Sequence, residues 1–297
     1  MSGTRNLGAS VRQRLLNRAR VEKRPFQELL QFYAMERFLY RLSQSRHSEC
    51  FVLKGALMLR VWKSPSYRPT MDIDMLGITD NREQAILQQI EEVIAEEVAD
   101  GLLFDTTSLK AETITEDADY QGLRVRFPAS LDGARIIMQL DIGFGDAVYP
   151  APERQIYPVL LDFPAPELLC YSRESAIAEK LQAMIVLGEL NSRMKDFFDI
   201  WLLARRFDFS AGPMKQAILS TFSTRGTTLP DRLPFNQHFI ESKQKQWEAF
   251  RRRIDQEHIP SDFDEIARVL YTFLSPIIKT EETPETGYWQ APGPWRF

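Results

Sequence analysis

Asp72 and Asp74 stand two residues apart in Met71-Asp72-Ile73-Asp74-Met75-Leu76, a run that alternates acid and apolar residues. Successive side chains of a strand point to opposite faces. The two carboxylates therefore share one face, and Met71, Ile73 and Met75 point into a core. Two like charges so placed repel in a low-dielectric setting. A hard divalent cation between them relieves that repulsion, and Mg²⁺ suits oxygen ligands and substrate phosphates. Upstream, Gly55-Ala56 follows the apolar run Cys50 to Leu53, which reads as a buried strand, and leads into a helix-like segment. Small residues let backbone N–H groups approach a polyphosphate, and a helix N-terminus adds partial positive charge. The expected chemistry is metal-assisted work on a polyphosphate.

Other residues could take part. Asp141 closes an apolar-rich strand, where an acid can be satisfied by local backbone. Lys180 lies at the edge of the stripe Ile177, Leu181, Met184 and Ile185, a place from which lysines snorkel to water. Asp196 and Asp199 sit one turn apart near a helix N-terminus, where carboxylates are favoured electrostatically, so capping alone explains them.

The elements that must position these groups follow from pattern. Ser10 is a candidate cap for a first helix. Pro25 opens a second over PFQELLQFYAMERFLYRLSQS, whose Leu29, Leu30, Tyr33, Phe38, Leu39 and Leu42 keep helical spacing. Asp80 is placed to cap NREQAILQQIEEVIAEEVAD. Ser108 to Ile114, Gly122 to Phe127 and Arg135 to Ile142 read as strands, the last two joined through Asp132-Gly133, a hairpin turn signal. Five prolines between Pro150 and Pro166 read as a linker, and Glu167 to Tyr171 as one more strand. Beyond that the chain reads as helical: a helix capped by Ser172 or Ser175, another capped by Ser192, then Met214 to Phe222, Glu241 to Ile254 and Asp262 to Ile278. The Trp-rich tail KTEETPETGYWQAPGPWRF is expected to tack onto the body. The predicted fold class is α+β and bilobed. Residues 1–165 form an N-terminal α/β lobe with a mixed or antiparallel sheet, and residues 166–297 a helical lobe with the tail.

A small-residue turn and helix followed by an Asp-x-Asp strand resembles the nucleotidyltransferase fold of the DNA polymerase beta type. KGALMLR, RPTMDIDML, MQLDIGFGDAV, AEKLQAM and SRMKDFFDIW occur in the order found in the AbiEii/MenT family of bacterial toxin nucleotidyltransferases. The resemblance runs from about Phe32 to Leu203. Where such enzymes carry Gly-Gly or Gly-Ser, this chain has Gly55-Ala56. The resemblance implies that Asp72, Asp74 and Asp141 bind metal. It also implies that Lys180 and Asp196 join them in catalysis, and that Lys54, Gly55, Ala56, Thr70, Lys180 and Arg193 bind the nucleotide across a cleft. The implied enzyme is a Mg²⁺-dependent nucleotidyltransferase and the toxin of a toxin–antitoxin pair. It would transfer NMP from an NTP to the 3′ end of tRNA, block translation, and be restrained by a cognate antitoxin protein. The alternatives are a protein or small-molecule acceptor, or a nucleotide-binding interaction protein without catalysis.

Composition sets the outer limits. The chain has 297 residues, 44% hydrophobic and 26% charged, with a formal net charge of −4, ordinary values for a globular protein. No apolar run has transmembrane length, and the N-terminus lacks the apolar core of a secretory signal. Two cysteines in apolar runs predict thiols in a reducing cytoplasm, and three histidines without a Cys/His cluster argue against zinc. The expected state is a monomer with no membrane association. Basic charge concentrates in Arg5 to Arg24 and in Lys243 to Arg253, each either a solvated helix face or a contact for phosphates.

Overall fold

The computed structural model describes residues 6–64, 69–116, 120–254, 258–279 and 286–297. Arg5, the Pro65 side of the loop before Asp72 and the acidic Glu281–Glu285 lie outside them. Contacts divide the chain into two compact units, Met1–Gly145 with Glu153–Cys170, and Asp146–Pro152 with Tyr171–Phe297.

The first unit contains α1 (Leu7–Glu22), α2 (Phe26–Gln44), β1 (Phe51–Lys54), a 3-10 turn over Gly55–Leu57, α3 (Met58–Val61), β2 (Ile73–Gly77), α4 (Glu83–Ile94), β3 (Leu102–Phe104), β4 (Lys110–Glu116), β5 (Tyr120–Leu131), β6 (Ala134–Phe144), β7 (Glu153–Ile156) and β8 (Glu167–Cys170). Its strands form one eight-stranded sheet in the order β3-β5-β6-β2-β1-β8-β7, with β4 paired to β5. The β2–β6 and β1–β8 pairs are parallel and the others antiparallel, so the sheet is mixed and the α+β class holds. Asp132 and Gly133 both have positive φ, 46° and 76°, as a two-residue hairpin turn requires.

The alternation of β5 and β6 puts Val125, Phe127, Ile136, Met138, Leu140 and Ile142 in the core with Ile73 and Met75, together with Leu29, Phe32 and Phe38 of α2. Each such side chain contributes about 1.5–3 kcal/mol by leaving water. Phe38, Phe104 and Phe127 meet at centroid distances of 5.8 to 6.4 Å. Helix α2 also buries charge. Both amino groups of Arg41 donate to Asp100, at 2.6 and 3.2 Å. The Glu36 carboxylate accepts the Leu160 N–H at 2.6 Å.

Burial pushes the Glu36 carboxyl up to about 7, against the opposing pull of the Leu160 N–H and the Arg37 and Arg60 charges. A carboxyl raised on folding binds its proton more tightly in the native state, so its contribution to stability falls as pH rises from about 4.3 to about 7. Wild-type protein should lose about 2–3 kcal/mol relative to Glu36→Gln between pH 4.5 and 7.5, read by urea unfolding of both proteins at each pH. Parallel pH profiles would contradict this.

The second unit contains α5 (Arg173–Leu187), α6 (Met194–Arg206), β9 (Phe209–Ser210), α7 (Ala211–Thr224), α8 (Gln237–Ile254), α9 (Phe263–Ile278), β10 (Tyr288–Trp289) and β11 (Trp295–Arg296). Phe197, Phe239, Trp247 and Phe263 fill its centre. The Trp289 and Trp295 indoles donate to the Ala204 and Phe273 carbonyls, both at 2.7 Å, so the tail is tacked down by its aromatics as expected.

Several local expectations are corrected. Met71 is 52% exposed and precedes the strand, so it is not core. Asn6, not Ser10, caps α1 by accepting the Ala9 N–H. The Asp80 carboxylate accepts from the N–H of Arg82 and pairs with its guanidinium, and the helix begins beyond it without a side-chain cap. The position before α6 is Arg193 rather than Ser192. The proline-rich stretch holds β7, and the mainly helical unit holds a small sheet in the order β11-β10-β9.

Candidate active site

Strand register assembles the site. Lys54 of β1 faces Asp74 of β2, Asp74 faces Asp141 of β6, and Asp141 faces Arg124 of β5. Direct partners share a face, so a cation, two anions and a cation form one row across four neighbouring strands. Asp72, half-buried just before β2, joins the two acids. One carboxylate oxygen each from Asp72, Asp74 and Asp141 can be chosen so that all lie within 4.8 Å of one another.

Each acid is held by its surroundings. The Thr70 hydroxyl donates to Asp72 Oδ1. Arg124 grips Asp141 with two parallel bonds, Nε to Oδ1 at 2.8 Å and NH2 to Oδ2 at 2.7 Å, and Gln139 Nε2 stands 3.4 Å from Oδ2. The hydrogen bonds to Asp141 raise the Arg124 pKa further. Gly55 has φ +71°, and a Cβ there would overlap the Asp74 carboxyl. Glycine is thus required twice, for the left-handed backbone and for the space Asp74 occupies. Gly55→Ala should lower any activity of this site about 100-fold by displacing Asp74 and cost about 1–2 kcal/mol through the left-handed backbone. Turnover measured beside thermal unfolding checks both. A variant with normal turnover would show that the Asp74 position is unimportant.

The oxygen-only donor set, the close approach of three carboxylates and the burial of Asp141 fit a hard divalent cation. Of the remaining predicted residues in this unit, Lys54 and Thr70 are buried, Gly55 is half-buried and Ala56 is buried. Arg124 escaped the sequence reading.

The second unit holds a separate charged cluster. Lys180 Nζ of α5 lies 3.1 Å from Asp196 Oδ1 and 3.0 Å from Asp199 Oδ2 on α6. Arg193 Nε lies 2.6 Å from Asp196 Oδ2. Burial pushes the Asp196 carboxyl up, but the Lys180, Arg193 and Lys195 charges outweigh it and hold the carboxyl below the usual range. Lys180 therefore does not simply snorkel. Asp146, from the block MQLDIGFGDAV, is bound by Arg225 at 2.9 Å.

Members of both basic runs are paired within the protein, while Lys245, Arg252 and Arg253 are exposed. Arg14 pairs with Asp162, Arg18 with Glu22 and Arg24 with Glu28. Lys243 is buried and donates to the Glu189 carbonyl at 2.5 Å, and Arg251 donates to the Ile259 carbonyl at 3.1 Å.

Residues 37–269 match the family model described as nucleotidyl transferase AbiEii toxin, type IV toxin–antitoxin system. The chain belongs to the AbiEii family. The match spans the acidic triad and the Lys180 cluster alike, so a nucleotidyltransferase toxin family and a carboxylate triad suited to metal coincide in one chain. No curated protein matches the chain. A candidate nucleotidyltransferase from H. pylori is similar in structure at 15% identity, with a TM-score of 0.46, covering 86% of this chain and 96% of its own. JHP933 from Helicobacter pylori is similar at 15% identity and a TM-score of 0.44, covering 86% and 93%. Among the described residues of this AbiEii chain, no helix is long and apolar enough to cross a membrane.

Proposed function

We propose that the protein is a cytoplasmic toxin that transfers a nucleoside monophosphate from an NTP to the 3′ end of tRNA, blocks translation, and is restrained by an antitoxin protein. The observation that carries this reading is the row Lys54, Asp74, Asp141 and Arg124 with Asp72 beside it. Asp72, Asp74 and Asp141 would hold Mg²⁺, which would supply charge stabilisation at the α-phosphate of the NTP as the nucleotidyl group passes to the hydroxyl and pyrophosphate leaves.

The chain's own groups do the rest. Lys54, on the face of Asp74, offsets negative charge and orients phosphate oxygens. Gly55 leaves room for the Asp74 carboxyl. Asp141 accepts the proton of the attacking hydroxyl. Arg124 occupies one lone pair on each of its oxygens, and Oδ1, with that single donor, is the freer of the two. Arg124 is a positioning residue: it fixes the plane of the carboxylate that must meet the hydroxyl. Thr70 fixes Asp72 in the same way. Lys180, Arg193 and Asp196 serve the nucleotide, with the cations answering phosphate charge.

Incubation with each labelled NTP, alone and with bulk tRNA, tests the acceptor. Label on untreated tRNA, and none on tRNA whose terminal diol periodate has already destroyed, is the expected result. Label on the protein or on a small molecule would replace tRNA with that acceptor, and equal labelling of periodate-treated tRNA would exclude 3′-end addition.

A further inference from the structure

The solvent face of the sheet continues past the triad. Along β6 the residues on the Asp141 face are Gln139, Ile137 and Arg135, and the register sets Arg126 of β5 opposite Gln139 and Lys110 of β4 opposite Arg126. These positions border an open groove of about 750 Å³ whose lining includes Leu103, Lys110, Arg126, Arg135 and Ile137. Lys110, Arg126 and Arg135 are exposed. Leu103 is 71% and Ile137 50% exposed, large apolar side chains left in water beside them. The acid of the groove, Asp105, turns its carboxylate to the Thr107 and Ser108 hydroxyls, each at 2.7 Å. Arg126 is steadied by Glu112 at 2.8 Å and Gln139 at 3.0 Å. In a chain of net charge −4, three cations here outnumber Asp105 and Glu112.

We propose that this groove is the track for the acceptor strand of an RNA substrate, its phosphates over Lys110, Arg126 and Arg135 and its end led along β6 to Asp141. The proposal rests on the reading that RNA is the acceptor. Asp141 lies six residue steps along β6 from Arg135, about 20 Å at the rise of a strand, a span that holds several nucleotides. Cations fix a strand through its phosphates without reading sequence. Leu103 and Ile137 offer apolar surface to sugars and base faces. Mixed basic and apolar lining on the sheet face that carries Asp141, four residues along β6 from Ile137, favours a strand whose terminal hydroxyl must reach that acid, over a folded acidic protein.

The test uses the full chain and a fluorescent hairpin RNA ending in single-stranded CCA. Binding is followed by anisotropy across a salt series for wild type, for Lys110→Gln/Arg135→Gln, and for the charge-preserving Lys110→Arg/Arg135→Lys. Losing two phosphate contacts should weaken binding about 20-fold at ~0.1 M salt and flatten the slope of log K against log salt by about 1.4. The charge-preserving pair should bind as wild type does, and melting temperatures should not move. Equal affinity of the Gln pair and wild type, or no binding of this RNA by wild type, overturns the track and leaves the groove to a protein partner or to none. Labelling of RNA in parallel judges the proposed function separately: binding through the groove without transfer would sink that function and the strand's acceptor role with it, leaving only an RNA-binding groove.

Discussion

Asp74→Asn is expected to lower nucleotidyl transfer ~10³-fold or more, the scale of losing a fixed electrostatic group from a reacting centre, while the fold survives. Asp74 faces Asp141 directly in the β2–β6 ladder. Neighbouring strands lie about 4.8 Å apart, and at an effective dielectric near 20 two such charges repel by roughly 3 kcal/mol. Removing one carboxylate relieves that repulsion, although Asp74 also loses its opposition to Lys54 across β1. The two effects offset, so the melting temperature should stay within a few degrees of wild type. Asp72→Ala should behave alike. Near-normal turnover of either variant with Mg²⁺ would remove these carboxylates from the metal site.

Lys180→Ala should have the largest effect on stability, about 3–5 kcal/mol, the usual cost of removing one partner from a buried ion pair. Asp196 has no side-chain exposure and Asp199 only 4%. Without the ammonium, Asp196 keeps Arg193, and both buried carboxylates lose a cation that stood within 3.1 Å. The sign of the pH response follows. In wild type the Asp196 carboxyl is depressed, so its contribution is present above the ordinary aspartate value and lost as pH falls through the folded one. In the variant the upward push of burial is left less opposed, and stability should improve on acidification below neutral pH. Adding Asp199→Asn should recover part of the loss. A Lys180→Ala protein as stable as wild type, with only nucleotide affinity reduced, would give Lys180 a binding role alone.

Much of this site was legible from sequence, and what was missed has physical causes. The Asp72–Asp74 pair follows from a two-residue period, and the turn at Asp132-Gly133 from the demand for positive φ. That turn already fixes the register: Leu131 faces Ala134, and seven residues outward Arg124 faces Asp141. The partner of the third carboxylate was therefore countable from the sequence once the turn was placed. Met71 was misplaced because alternation says which face a residue takes, not where a strand begins. Strand β7 hid among prolines because its pairing with β8 is a tertiary fact that outweighs local composition. Of the expected caps, Ser172 caps α5, whereas Ser10, Asp80 and Ser192 are chemically able but the helices begin at other residues. The Lys180 cluster was half visible, since Asp196 and Asp199 are one turn apart, but their meeting with α5 is not a local property.

The most direct measurement of the central claim compares two labels on the same nucleotide. With Mg²⁺, tRNA and an NTP carrying label in the α-phosphate, the account predicts labelled RNA from wild type and none from Asp74→Asn. With label in the γ-phosphate it predicts unlabelled RNA and labelled pyrophosphate. Label from the γ-phosphate on the acceptor would make the protein a phosphoryl-transfer enzyme, and undiminished α-label transfer by Asp74→Asn would place the reaction outside the Asp72, Asp74 and Asp141 triad.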